Sequence, residues 1–253
     1  MCKSTFKKAT AAFVLGVFTL AASLCTEVRA QETSVDPAAT QILKRMTDYL
    51  GSLQEFSVHT QNTVEDLLES GQRIDSDVAA HVIVKRPNKL LSERSDDLAK
   101  QFFYYDGRTL TLYDQLKNTY ATAPASETLG GMLDYARQSL GLVVPAADFI
   151  YPNAYELLTQ DLTSATVVGK AVIDGVMCDH LTFRRPGVDF QIWIEAAAQP
   201  RPRKLVVTDT GTPALLSVTT LIDDFNAAPG VPDTRFAFVP PIGAKAIPFM
   251  LIE

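Results

Sequence analysis

The 253-residue chain carries 29 acidic and 23 basic residues, a net charge of −6, and three cysteines. That acid excess argues against nucleic acid and anionic lipid surfaces as electrostatic partners. The length, with 47% hydrophobic residues, suffices for one domain with its own core.

Lys3, Lys7 and Lys8 precede an apolar run from Ala11 to Leu24, and Val28-Arg29-Ala30 follows with a small residue at its end. This pattern predicts a removable secretory signal over residues 1–30, cut between Ala30 and Gln31. The run is shorter than the roughly 20 residues a membrane-spanning helix needs, so no transmembrane segment is expected after cleavage. Lipidation at Cys25 is disfavoured by the bulk of Leu24. Cleavage removes Lys3, Lys7, Lys8, Arg29 and Glu27, leaving 19 cations and 28 anions, a net of −9. Cys2 and Cys25 leave as well, so Cys178 is the remaining cysteine and no internal disulfide is expected. The fold must then stand on its core alone.

Asp36-Pro37 predicts a helix start, with an acceptor at the N-cap and proline at the first helical position. Ile42, Met46, Tyr49, Leu50 and Leu53 then form one apolar stripe up to Gly51 and just beyond it. From Phe56 the period changes to two. Phe56, Val58, Thr60, Asn62 and Val64 share one face, and Ser57, His59, Gln61, Thr63 and Glu65 share the other. Val78, Ala80, Val82 and Val84 repeat the pattern. The segment QFFYYDGRTLTLYD predicts a hairpin turning at Asp106-Gly107. Leu129, Met132, Leu133, Ala136 and Leu140 predict a helix capped at Ser126, which Gly130-Gly131 would weaken by about 1 kcal/mol each relative to alanine. A second short helix is expected to start near Pro152. Five further strands and a proline-rich close, FAFVPPIGAKAIPF, complete the chain. With no internal repeat or linker, residues 31–253 predict one α+β domain. Its expected architecture is a strongly curved antiparallel sheet with helices inserted against one face.

Three pieces in order, VKRPNKL, YYDGRTLTLYD and RFAFVPPIGAKA, stand behind an amphipathic helix. Together they resemble the LolA, LolB and LppX superfamily of periplasmic lipoprotein and lipid carriers, closest to its uncharacterised branch of predicted periplasmic proteins. The resemblance spans roughly residues 37–245. It implies a periplasmic location and an α+β fold, a half-open β-barrel with helices covering its apolar concave face as a lid. It also implies that Arg86, in its Lys-Arg-Pro-Asn setting, looks toward the lid and hydrogen-bonds backbone carbonyls there. An extra helical segment over about residues 143–163 departs from the carriers. Parity points the same way for Arg86: counting by two from Val78 through Val84 places it on the inward face, with Lys85 outside beside His81. Lys85 and Asn88 fit a solvated turn around Pro87.

Catalytic chemistry finds little support. His59, His81 and His180 fall in three different strands, and neither a metal-ligand spacing nor a nucleophile elbow is present. Cys178 and His180 share a strand face, but a half-buried thiol beside a hydrogen-bonded imidazole accounts for them better than a nucleophile. Asp223 and Asp224 are adjacent on a strand, so their carboxylates are expected on opposite faces at a solvated edge. Trp193 is expected on the convex side. No catalytic residue, metal or cofactor is assigned. The expected function is binding of a lipid or acylated lipoprotein by a monomer. Val82, Val84, Leu110 and Leu112 would form the wall, Leu129, Met132 and Leu133 the lid, and Arg86 the gate. The alternative is an envelope sensor or interaction module that uses the same fold for protein contacts.

Overall fold

The computed structural model describes residues 34–142 and 147–249; the expected signal segment lies outside the described residues. The chain opens with α1 (Pro37–Ser52), where the Asp36 carboxylate accepts the Ala38 N–H at 2.8 Å and Pro37 occupies the first turn. Six strands follow: β1 (Glu55–Leu67), β2 (Arg73–Lys85), β3 (Lys89–Ser95), β4 (Lys100–Tyr105), β5 (Thr109–Asp114) and β6 (Thr119–Pro124). Next come α2 (Leu129–Leu140), a single 3-10 turn at Ala147–Phe149 and α3 (Ala154–Thr159). Five strands resume as β7 (Ser164–Ile173), β8 (Val176–Arg185), β9 (Val188–Glu195), β10 (Pro202–Asp209) and β11 (Ser217–Asn226). A 3-10 turn at Asp233–Phe236 and the two-residue β12 (Lys245–Ala246) close the order.

All twelve strands among the described residues belong to one sheet, ordered β12-β6-β5-β4-β3-β2-β1-β11-β10-β9-β8-β7. The order is linear, so the sheet curves without closing. Every pairing is antiparallel except β12 on β6. The long-range β1–β11 pairing joins the two meanders, and helices cover the resulting concave face in two blocks. One block packs Ala39, Leu43, Met46 and Leu50 of α1, with Phe149 and Leu158, onto β7–β11 through Leu181, Phe183, Phe190, Ile192, Ile194 and Ile222. The other packs α2 with Ile150 and Tyr151 onto Phe56, Val82, Val84, Leu90, Phe103, Tyr105 and Leu110. Two polar residues on this face pair with each other: Asn62 donates to the Val78 carbonyl at 3.0 Å and accepts from Thr220 at 2.8 Å.

Local chemistry departs from expectation in three places. The α2 cap is Thr128, which accepts the Gly131 N–H, and Ser126 supports it from two residues earlier. A Cβ on Gly131 would stand 2.8 Å from Ser126 Cβ, so the glycine that lowers helix propensity lets the cap loop fold against the helix. The β4–β5 turn centres on Gly107 and Arg108, not Asp106 and Gly107. Gly107 takes φ 99°, while the Asp106 carboxylate accepts the Arg108 and Thr109 N–H groups. The second helix begins at Ala154, after the separate 3-10 turn.

Candidate functional site

Parity along β2 places Val82 and Val84 on the concave wall, where both are buried in the α2 block with Leu110, Leu129, Met132 and Leu133. Leu112 shares the concave side with Leu110 but is only partly buried and stands outside that cluster. Arg86 follows at the end of the same row. Its Nη1 donates to the Ile150 carbonyl at 3.1 Å, joining the end of β2 to the helical segment after α2. Nε and Nη2 are buried with no hydrogen-bond partner among the described residues. Burial lowers the guanidinium pKa from its ordinary value, yet arginine remains charged at any physiological pH. One bond and two orphaned nitrogens make this a half-satisfied cation.

Other hydrogen bonds also fasten the helical segments that cover the concave face. The Tyr105 hydroxyl donates to the Ser126 carbonyl at 2.5 Å, anchoring the cap loop of α2, and burial pushes this phenol up to about 12. Tyr151 donates to Asp134 at 2.8 Å, joining α2 to the segment beyond it; burial, with the Asp134 carboxylate, raises the pKa of its hydroxyl. Arg185, at the end of β8, donates from Nη1 to the Leu157 carbonyl of α3 at 3.2 Å. Sequence reasoning passed over this residue, although two signals mark it. The count Leu181, Phe183, Arg185 is the count that singled out Arg86. Arg184-Arg185-Pro186-Gly187 also repeats the form of Lys85-Arg86-Pro87-Asn88.

The outward cations of the two motifs are paired. Lys85 reaches Asp233 at 2.8 Å and the Val231 carbonyl at 3.1 Å, and Lys89 reaches the same carboxylate at 3.4 Å. Arg184 grips Asp189 at 2.7 and 2.6 Å. The expected solvated turn at Lys85 and Asn88 is therefore a docking point instead: the C-terminal segment returns over Lys85, and Gly107 packs against the Asn88 side chain.

A small apolar cavity of about 30 Å³ lies between the two helical blocks, lined by Leu50, Phe56, Val82, Phe149, Ile150 and Phe225 among others. Typical small-molecule sites span roughly 300–1,000 Å³, and this cavity is about an order of magnitude smaller.

The remaining candidates serve structure. Cys178 is fully buried, and burial with the nearby Glu195 charge raises its thiol pKa, away from nucleophile chemistry. His180 bonds Gln191 at 3.0 Å and stacks on Trp193, over which Lys204 also lies. No group of three or more metal-type ligands stands assembled among the described residues. Asp223 and Asp224 correct the parity expectation. β11 lies in the middle of the sheet, not at an edge, and a bulge turns both carboxylates to the convex side.

Residues 39–250 match the family model described as predicted periplasmic protein (DUF2092). The chain belongs to that family. Its compartment is accordingly the periplasm, and none of the described helices is long and apolar enough to cross a membrane. No curated protein matches the chain. Among solved structures, an uncharacterized conserved protein from Thermus thermophilus is 14% identical with a TM-score of 0.50, over 83% of this chain and 99% of that one. This likeness concerns the fold alone. LprF from Mycobacterium bovis is similar at 15% identity and TM-score 0.47, covering 83% of this chain and 99% of its own. A LolA superfamily protein from Nitrosomonas europaea is similar at 13% identity and TM-score 0.42, over 79% and 97%.

Proposed function

We propose that this protein binds a hydrophobic ligand, an acyl chain of a lipid or acylated lipoprotein, on the concave face, and that α2 with Ile150 and Tyr151 is the lid the ligand displaces. The observation that carries this reading is the pairing of an apolar lid and wall with polar fastenings at the mouth. Val82, Val84 and Leu110 meet Met132 and Leu133 without polar groups, and Arg86 closes the mouth on Ile150 through a single bond. Apolar contact is non-directional, so an acyl chain can replace the lid against the same wall at about 0.8 kcal/mol per methylene buried. The exchange then costs the fastenings. Arg86 would also have donors free for a ligand carbonyl or phosphate oxygen, which its fork geometry suits. The gate role of Arg86 and the wall and lid roles of the other residues belong to this proposal.

Native mass spectrometry of protein purified from the periplasm, followed by titration of the delipidated protein with a fluorescent fatty acid, tests it. Co-purifying lipid masses and saturable binding are expected. A clean apo mass with no binding would overturn it in favour of the second reading, an envelope interaction module. The small cavity favours that alternative, since so little free volume leaves rim and edges for recognition. The partly open β7 edge, with Val168 and Val172 exposed, would be its contact strand.

A further inference from the structure

On the convex face, register brings together residues distant in sequence. Glu93 of β3 stands opposite His81 of β2, His81 opposite His59 of β1, and His59 opposite Asp223 of β11. The result is a single row across four strands. The two imidazoles lie face to face, centroids 4.1 Å apart and 7° from parallel. Beside them β11 carries one extra residue: Ser57 pairs with Asn226, but His59 pairs with Asp223. Asp224 takes φ 47° in this bulge, and its Oδ2 comes to 3.2 Å from His59 Nδ1. These groups line an open groove of about 470 Å³ together with Ala79 and Ser95, whose small side chains leave the imidazoles accessible.

We propose that His59 and His81 are the nitrogen pair of a site for a borderline divalent transition ion of the Zn²⁺ and Cu²⁺ type. Directly opposed residues on antiparallel strands have Cβ atoms about 4.5–5.5 Å apart. Modest side-chain rotations can therefore bring two imidazoles to one ion at about 2.0–2.1 Å. Asp224 at Nδ1 favours the tautomer that carries its proton there, leaving the Nε2 lone pair of His59 for the ion, as carboxylates do for metal-bound histidines. Imidazole ligands with nearby carboxylates select this class of ion over Ca²⁺ or Mg²⁺, which take oxygen shells. Glu93 is engaged by Lys100 at 3.0 Å. Water therefore completes the shell, and affinity is expected in the micromolar range, below that of a closed structural site. The site lies on the opposite side of the sheet from the lid and is independent of it.

The test uses EDTA-treated protein purified from the periplasm, with Zn²⁺ titrated by calorimetry and substoichiometric Cu²⁺ read by electron paramagnetic resonance. One ion per chain is expected, with splitting from two nitrogens. His59→Gln and His81→Gln should each weaken binding at least tenfold and leave one nitrogen, and Asp224→Asn should weaken it about tenfold. His180→Gln should bind as the parent does. Melting in EDTA should be unchanged for the His59, His81 and Asp224 variants; should a glutamine variant lose its fold, His59→Asn or His81→Asn takes its place. Absence of binding, or binding unmoved by both histidine variants or abolished by His180→Gln, overturns the proposal.

Discussion

Replacing Arg86 with alanine or leucine isolates the gate. The change removes one charge-assisted bond from Nη1 to the Ile150 carbonyl, a class worth about 1.5–3 kcal/mol net. It also relieves the burial of Nε and Nη2, which lack partners among the described residues. Relief of those two nitrogens offsets part of that loss, so the net loss to the closed lid is placed near and below the low end of the range, at about 1–2 kcal/mol. That corresponds to roughly a five- to thirtyfold rise in the open population. Leucine should keep global stability near the parent value, because an apolar side chain replaces a half-satisfied buried cation. Hydrogen exchange is the assay. Amides of α2 and of Ile150 and Tyr151, including the Ile150 N–H bonded to Ala147, should exchange faster by that factor, while central strands β1, β2 and β11 keep their protection. The rate of fluorescent fatty acid uptake should rise in parallel. Unchanged exchange over α2, Ile150 and Tyr151 in both variants, or an equal loss of protection throughout the sheet, would refute the gate.

Arg185→Ala should loosen α3 by about 1 kcal/mol through loss of the Leu157 carbonyl contact, seen as faster exchange at residues 154–160; combined with Arg86→Ala, the effects should add if the two fastenings act independently. Gly131→Ala should lower the melting temperature despite a gain of about 0.8–1 kcal/mol in helix propensity, because the new methyl meets Ser126. Tyr105→Phe should free the Ser126 carbonyl and cost about 1 kcal/mol, with exchange rising at the start of α2. Cys178 should resist thiol reagents in the native state and be labelled at the rate of unfolding, since it is buried with a raised pKa.

Much of the fold is legible in alternation and capping. Asp36-Pro37 starts α1, and the row from Val78 to Val84 gives the concave wall and carries Arg86 to its end. The same count finds Arg185 once it is applied to Leu181 and Phe183. What alternation misses is insertion. One extra residue at Asp224 reverses parity locally, so two carboxylates expected on opposite faces share a groove with His59. Register is equally hidden: three histidines in three strands give no spacing signal, although two of them stand directly opposite. The partners of Lys85 lie beyond reach for another reason, since Asp233 and Val231 arrive from a segment nearly 150 residues later. Cavity volume is a small difference between wall and lid volumes, and no pattern of residue types fixes it.

The two packing blocks divide the concave face in a way that bears on how it could open. α1 and Leu158 cover β7–β11, while α2, Ile150 and Tyr151 cover β2–β5. The chain passes from one block to the other between Phe149 and Ile150, and the small cavity is lined by both residues. Arg86 holds the carbonyl of Ile150, so its bond sits at the junction rather than within either block. Opening there would uncover the wall from Val82 to Leu110 while leaving the α1 block packed on the other half of the sheet. An opened molecule could then keep a core without complete unfolding, and the ligand would need to replace only one block's contacts. That economy explains why a small cavity is compatible with binding: the cavity marks where the blocks part, and its volume in the closed state does not limit the volume available once they have parted.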